Sequence, residues 1–333
     1  MSSELAIYKK NRITSLQNTF NSNIAKLNDE LAKNIKKVQL SNLNTKVKQT
    51  QINNLKKQYD NIVNALKVNL NRNILSINNF FPKPVSINKN KKALLIGINY
   101  TGTNDELSGC INDVNNIKNR LITKGFNNIE TMTDLTSKKP TRENILNGLT
   151  NLLVNSQAGD LLFFSYSGHG TYIIDKNNDE NTGYDQCIYP IDTNIIVDDE
   201  IKNIILKNLK SNVTLCAIFD SCFSGSVLDL RYQYMDSLNY DKFTENEKES
   251  ETLGNVFMIS GCSDYQTSAD AVINKTPTGA MTWSLLESLK QKPNCSWREL
   301  LQNMRSLLKT SNFDQIPQLS SGQITNIDDK VFI

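Results

Sequence analysis

Between residues 92 and 260 one pattern recurs: a short apolar run, then a stretch with helical spacing. Four of the runs are ALLIGI at 93–98, LLFFSY at 161–166, TLCAIF at 214–219 and NVFMIS at 255–260, and 129–133 reads as a further short strand between the first two. A continuous apolar run, without polar alternation, is what a strand buried on both faces needs. The intervening 111–121, 142–153 and 199–209 carry helical spacing, and Thr141, following Pro140, is placed to cap the second of these. Further helices are expected at 280–289 and 297–309. Strands alternating with helices predict an α/β domain with a mostly parallel sheet between helices. In such sheets reacting groups collect beyond the carboxyl ends of the strands. The charged, polar stretch 231–253 reads as an exposed loop that splits this domain.

The chain before residue 92 has a different texture. Residues 4–78 contain neither Gly nor Pro. Ile13, Leu16, Phe20, Ile24, Leu27, Leu31, Ile35 and Val38 follow one another at intervals of three and four, a single helical stripe. A second stripe runs Ile52, Leu55, Tyr59, Ile62, Leu66. Two long helices with a bend near 41–45 follow, forming a coiled-coil-like arm over 1–80. A coiled-coil oligomer and a helical pair packed on itself, or on the following domain, both satisfy the pattern; the second is favoured. The FFPKP run at 80–84 ends the helices, because proline lacks the backbone donor and clashes with the preceding turn. Residues 81–91 are a polar linker, and 92–333 the folded α/β domain.

Charge divides the same way. Residues 1–91 hold 16 Lys and Arg against 4 Asp and Glu, or +12, while 92–333 hold 21 against 30, or −9. A basic tract often marks nucleic-acid binding, but opposite charges on one chain favour the arm docking on its own acidic domain. The arm has few aromatics and no recognised nucleic-acid motif, so nucleic acid is an unfavoured partner. No apolar run approaches the ~18 residues that span a bilayer, and the first residues lack the order of a secretion signal. No membrane role and a cytoplasmic location are expected. The six cysteines make no CxxC pair and read as free thiols.

The chain has one histidine, His169, in SYSGHG at 165–170, directly after the third strand. Flanking glycines let the backbone turn and approach a substrate closely. The fourth strand ends in DSCFSG at 220–225, which releases Cys222 at the same edge of the sheet. Neighbouring strands lie ~5 Å apart, so an imidazole and a thiol at matching ends come within reach. A free thiol with pKa ~8.5 is only slightly ionised at neutral pH. An adjacent imidazole takes its proton and later returns it to a leaving amine. Cys216, within the strand, reads as a structural cysteine.

These two boxes resemble those of the metacaspases, within the caspase-like clan. LSGCINDV at 107–114, YDQCIYPID at 184–192, VDDEI at 197–201, SGCSDYQTSADA at 260–271 and QIPQLSSG at 315–322 extend the resemblance over 92–333, in the right order. The short split at 231–253 is similar to the type I layout; the helical arm departs from it. The resemblance implies a caspase-like, mostly parallel six-stranded sheet and a cysteine endopeptidase. Cys222 would be nucleophile and His169 general base, then acid. The N–H groups of Gly170 and Cys222 would form an oxyanion hole, and a backbone carbonyl would orient the imidazole. It places a specificity pocket at Cys110, Asp113, Ser167 and Asp220, whose two carboxylates select Arg or Lys before the scissile bond. It also assigns activating calcium to Asp185, Asp198, Asp199 and Asp229; spacing alone would not show that site. A rival calcium loop at 175–186 lacks the glycine and the terminal glutamate of an EF-hand, and reads as a solvated loop. The family often cleaves itself after basic residues; Lys83, Lys89 and Lys91 fall in the linker, Lys92 directly after it, and Arg231, Lys242 and Lys248 in the split. The alternative function is a catalytically weak caspase-like scaffold acting through its helical arm.

Overall fold

The computed structural model describes residues 3–79, 90–175, 183–222, 227–234, 243–246, 251–261, 270–273, 276–323, 325 and 327–333. The chain forms two compact units, Met1–Lys83 and Pro84–Ile333.

In the first unit α1 (Ser3–Leu40) and α2 (Thr45–Asn79) pack against each other. The turn falls at 41–44, where Asn44 Oδ1 accepts the Val47 N–H at 3.0 Å and starts α2. Lys48 Nζ donates to the Gln39 carbonyl at 2.8 Å and Tyr59 hydroxyl to Asn28 Oδ1 at 2.5 Å. These partners are equally far from the turn, as in an antiparallel hairpin. Every residue of the α1 stripe from Ile13 to Val38 is half-buried. On α2 the expected stripe shifts by one position after Tyr59: Val63 is half-buried and Ile62 is 47% exposed. The 4-then-3 step through Val63 keeps the same face turned inward as the 3-then-4 step through Ile62 does not.

The second unit begins with β1 (Lys91–Gly97), α3 (Cys110–Thr123), β2 (Asn128–Thr133), α4 (Arg142–Val154) and β3 (Leu161–Ser167). A small antiparallel sheet follows, made of β4 (Gly170–Ile174), β5 (Tyr184–Ile188) and β6 (Ile196–Val197). Then come α5 (Asp198–Asn208), β7 (Thr214–Asp220), β8 (Tyr232–Tyr234), β9 (Thr244–Glu245) and β10 (Asn255–Ser260). The hairpin β11 (Asp270–Ile273) and β12 (Thr276–Gly279) leads into α6 (Ala280–Gln291), α7 (Trp297–Thr310) and β13 (Gln318–Ser321).

The central sheet has the order β2-β1-β3-β7-β10-β13-β8-β9. Its first five strands are parallel and β13 runs antiparallel, which gives the expected mostly parallel body of six; the short β8 and β9 extend one edge. Successive residues of the apolar runs feed two cores. Ala93, Leu95, Phe163, Cys216 and Ile218 face Val114, Ile117 and Leu121 of α3 together with Met281, Leu285, Trp297 and Met304 of α6 and α7. Leu94, Ile96, Leu162, Phe164, Leu215 and Phe219 face α4 and α5 through Ile145, Leu149, Ile201 and Ile205. Each such side chain contributes about 1.5–3 kcal/mol on burial, which is why unbroken apolar runs became strands here.

Two expectations need correction. The loop expected at 231–253 is not exposed at its start. Arg231 is 5% exposed, its Nε and Nη2 donate to Glu245 Oε1 at 3.0 and 2.9 Å, and β8 pairs with β13. A buried guanidinium satisfied by a carboxylate left a polar sequence inside the fold. Arg231 is therefore no open cleavage site. Lys91 and Lys92 likewise belong to β1, in register with β2 and β3, rather than to a linker. The other suggested cleavage sites, Lys83, Lys89, Lys242 and Lys248, lie outside the described residues, as do most of the rival calcium loop and most of the SGCSDYQTSADA box. Among the described residues no helix is long and apolar enough to cross a membrane.

Candidate active site

The register of β3 and β7 sets the site. Ser167 at the end of β3 is directly opposite Asp220 at the end of β7, and the Gly168 N–H donates to the Asp220 carbonyl at 3.3 Å. His169 and Cys222 each follow two residues later, both half-buried, on adjacent strand ends. The next residue brings the two backbones into contact. A Cβ on Gly170 would stand 2.1 Å from the Cys222 carbonyl oxygen and 3.4 Å from its nitrogen, so only glycine fits there. The two residues expected to supply the oxyanion hole thus sit on adjoining backbone.

The imidazole is oriented by main chain. His169 Nε2 lies 2.7 Å from the Asp105 carbonyl oxygen. A carbonyl only accepts, so Nε2 carries the proton and the neutral ring keeps Nδ1 as its base. The His169 N–H donates to the Tyr100 hydroxyl at 3.0 Å, and its carbonyl accepts from the Tyr166 hydroxyl at 2.8 Å and the Tyr189 N–H at 3.1 Å. None of Tyr100, Asp105 or Tyr189 was visible as a site residue in the sequence. Tyr166 falls within SYSGHG, where position alone gave it no role.

The thiols differ by depth. Cys110, Cys187, Cys216, Cys222 and Cys295 form no disulfide, and Cys222 alone of these is not buried; Cys262 lies outside the described residues. Burial pushes the Cys216 thiol far above its usual range. It also carries Cys187 up to about 12, with Asp198 and Asp185 adding to the shift. Neither is a nucleophile at neutral pH.

Three of the four expected pocket residues converge. Asp113 in the first turn of α3 is completely buried. Its Oδ2 accepts the Ser167 hydroxyl at 2.7 Å, its Oδ1 accepts the Thr278 hydroxyl at 2.6 Å, and the Gly279 N–H lies 3.0 and 3.1 Å from the two oxygens. Asp220 Oδ2 accepts the Thr282 N–H at 2.8 Å. Burial, and then the Asp220 charge, raise Asp113 to about 7, against the opposing hydrogen bonds from Thr278, Ser167 and Gly279. A Cβ on Gly279 would stand 2.1 Å from Asp220 Oδ2 and 2.8 Å from Asp113 Oδ2, so β12 lies directly over both acids. Cys110 is buried one helical turn before Asp113. Thr278 and Gly279 were missed because they reach the pocket from 165 residues away.

A family model described as "Metacaspase, peptidase C14 domain" matches residues 91–231. Metacaspase-1 of Candida albicans is 39% identical over 290 residues, covering 69% of this chain and 64% of that protein. Metacaspase-1 of Lodderomyces elongisporus is 37% identical over 310 residues, covering 75% of this chain and 69% of that protein. The chain belongs to the metacaspase family. Its match spans just under two thirds of the length of the Candida metacaspase. Among solved structures, a protein of Geobacter sulfurreducens superposes with a TM-score of 0.56 at 25% identity, covering 73% of this chain and 98% of that one.

The residues that the metacaspase resemblance assigned to calcium are brought together only in part. Asp185, Asp198 and Asp229 are buried, and Asp199 is half-buried beside them. Burial, the Asp229 charge and then Asp185 raise Asp198 to about 8. Its oxygens accept the Gln186 N–H at 2.7 Å and the Asp199 N–H at 2.8 Å, while Lys202 Nζ lies 3.7 Å from Asp229 Oδ2. The donor set is all oxygen and all anionic, which suits calcium in kind. Among the described residues, however, no group of three such side chains is arranged to hold an ion.

Proposed function

We propose that this chain is a cysteine endopeptidase that cuts after Arg or Lys, with Cys222 as nucleophile and His169 as general base and acid. One observation carries the reading. An imidazole with its Nε2 committed to the Asp105 carbonyl and a cysteine leave neighbouring parallel strands at matching positions, beside two buried carboxylates.

The steps follow from those positions. The Cys222 thiol gives its proton to His169 Nδ1 and its sulfur attacks the scissile carbonyl carbon. The negative oxygen so formed is received by the N–H groups of Gly170 and Cys222, which stabilise charge present only in the transition state and intermediate. Collapse breaks the C–N bond, and His169 Nδ1 protonates the departing amine. Water then loses a proton to His169 and attacks the thioester; the second intermediate expels the sulfur, which takes the proton back. The Arg or Lys side chain before the cleaved bond is held by Cys110, Asp113, Ser167 and Asp220. A guanidinium or ammonium there offsets the burial and the Asp220 repulsion that raise Asp113.

Calcium is proposed as the activator, taken up by Asp185, Asp198, Asp199 and Asp229 only once their carboxylates draw closer together than they stand here; when bound, the ion would neutralise the repulsion among those acids. Self-cleavage is proposed after Lys83, Lys89, Lys242 or Lys248. The basic arm, carrying +12 with its linker, is proposed to dock on the acidic domain and hold the site inactive.

Fluorogenic peptides ending in Arg, Lys or Asp, with and without calcium, test the core of this reading. Arg and Lys peptides are expected to be cut and Asp peptides not. Calcium is expected to raise the rate, and Cys222→Ala to lower it by ~10³-fold or more. Mass spectrometry of the same samples should show nicked wild type and intact Cys222→Ala. Efficient cutting after Asp would refute the pocket; full activity in chelator would refute the calcium role.

A further inference from the structure

Tyr100 is 4% exposed and sits against His169 in a conformation that its neighbours enforce. Its φ is +51°, an uncommon state for an aromatic residue, of the kind that clusters at functional sites when the surroundings fix it. The Asp134 carboxylate accepts the N–H on either side of it, from Asn99 at 2.7 Å and Thr101 at 3.2 Å. The Tyr100 carbonyl accepts from the Thr103 N–H at 3.0 Å and the Thr103 hydroxyl at 2.7 Å. This left-handed turn lays the Tyr100 ring on the imidazole, with centroids 4.8 Å apart and planes inclined by 35°.

The hydroxyl is equally committed. A phenol has one proton, and that of Tyr100 goes to the Tyr189 carbonyl at 2.6 Å, which leaves the oxygen to accept the His169 N–H at 3.0 Å. The proton of Tyr166 goes to the His169 carbonyl at 2.8 Å, and the two hydroxyls are 3.1 Å apart. Burial pushes both phenols well above their usual range, so they stay neutral wherever a peptidase of this kind works.

We propose that Tyr100 is a positioning residue for His169, its ring fixing the plane of the imidazole and its hydroxyl fixing the backbone from which that imidazole hangs. The proposal rests on the reading of His169 as general base. A ring held by one hydrogen bond, Nε2 to the Asp105 carbonyl, pivots about that bond and swings Nδ1 away from the sulfur. Productive geometry needs ~10–20°, and a misplacement of ~1 Å costs ~100-fold in rate. The Tyr100 ring face supplies the second constraint that stops the pivot. The loop between β1 and α3 carries both restraints, Tyr100 and Asp105.

Two variants of the full chain test this. Tyr100→Phe keeps the ring and loses the hydroxyl; Tyr100→Leu loses the ring as well. The expected result is a fall in kcat of ~10-fold for Phe and ~100-fold for Leu, with KM for an Arg peptide within ~3-fold of wild type in both. The pH profile of Cys222 alkylation by iodoacetamide is the second reading, one that a merely structural tyrosine would not move. In Tyr100→Leu its midpoint should shift up by ~1 pH unit toward the free-thiol value of ~8.5, and in Tyr100→Phe it should stay near wild type. A wild-type kcat in Tyr100→Phe overturns the proposal even if Tyr100→Leu fails to fold, and so does an unshifted profile in a folded Tyr100→Leu. His169→Ala run alongside separates the causes. If it too leaves rate and profile unchanged, the general-base reading fails and takes the proposal with it; if it alone abolishes activity, Tyr100 fails by itself.

Discussion

Asp113 is the residue whose environment says most about what this site would accept. It is completely buried, receives hydrogen bonds from Thr278, Ser167 and Gly279, and is still driven from 3.8 to about 7 by desolvation and by Asp220. The native state therefore holds a proton that the unfolded chain releases between roughly those two values. Because the folded protein binds more protons there, the substrate-free protein loses stability as pH rises through that window. A basic side chain needs the ionised form once the β12 cover moves aside. KM for an Arg peptide should thus fall as pH rises from 6 to 8, while denaturant unfolding should show the free protein weakening as pH rises from about 4 to 7 and levelling off above it. Asp113→Asn should flatten both dependences and lower kcat/KM for Arg peptides by ~100-fold, the usual scale for removing one partner of a buried charge pair. A KM that does not move with pH in the wild type would contradict the pocket assignment.

Among the elements, the inner strands were legible because a strand covered on both faces has to be apolar throughout, and LLFFSY or TLCAIF is too short for a buried helix. His169 and Cys222 were legible for a related reason. Residues just past the carboxyl ends of such strands are exposed to one another whatever the helices do. What escaped the sequence is tertiary. The Asp105 carbonyl that orients His169 is backbone and leaves no mark on residue type. Tyr100 acquires its role only because Asp134, at the end of β2, clamps the turn from 35 residues away. Thr278 and Gly279 reach Asp113 by way of a hairpin whose strands are too short to announce themselves. The polar 231–253 stretch misled in the opposite direction, since Arg231 and Tyr232 are buried on Glu245 and Glu251 that the same stretch supplies. The slip from Ile62 to Val63 on α2 is a one-residue ambiguity that a 3,4 pattern leaves open until the partner helix is in place.

At the scale of the molecule, a basic helical hairpin and an acidic α/β unit form two separately compact parts of one chain. If the arm restrains the site, deleting residues 1–83 should raise kcat/KM for Arg peptides ~10-fold, within the usual range for coupling between parts of a protein, and the gain should shrink as salt screens the attraction. Unchanged kinetics would dispose of the autoinhibition. Such a truncation leaves Asn90 in place, whose N–H and Nδ2 hold Asp160 at 3.3 and 3.1 Å and anchor the start of β1. The catalytic claim itself is tested most directly by covalent labelling. The full chain is treated with matched peptidyl chloromethylketones ending in Arg and in Asp, and the modified residue is located by tandem mass spectrometry. An adduct is expected from the Arg reagent alone, on Cys222, formed ~100-fold more slowly in His169→Ala. An adduct on another cysteine, or equal labelling by the Asp reagent, would contradict it.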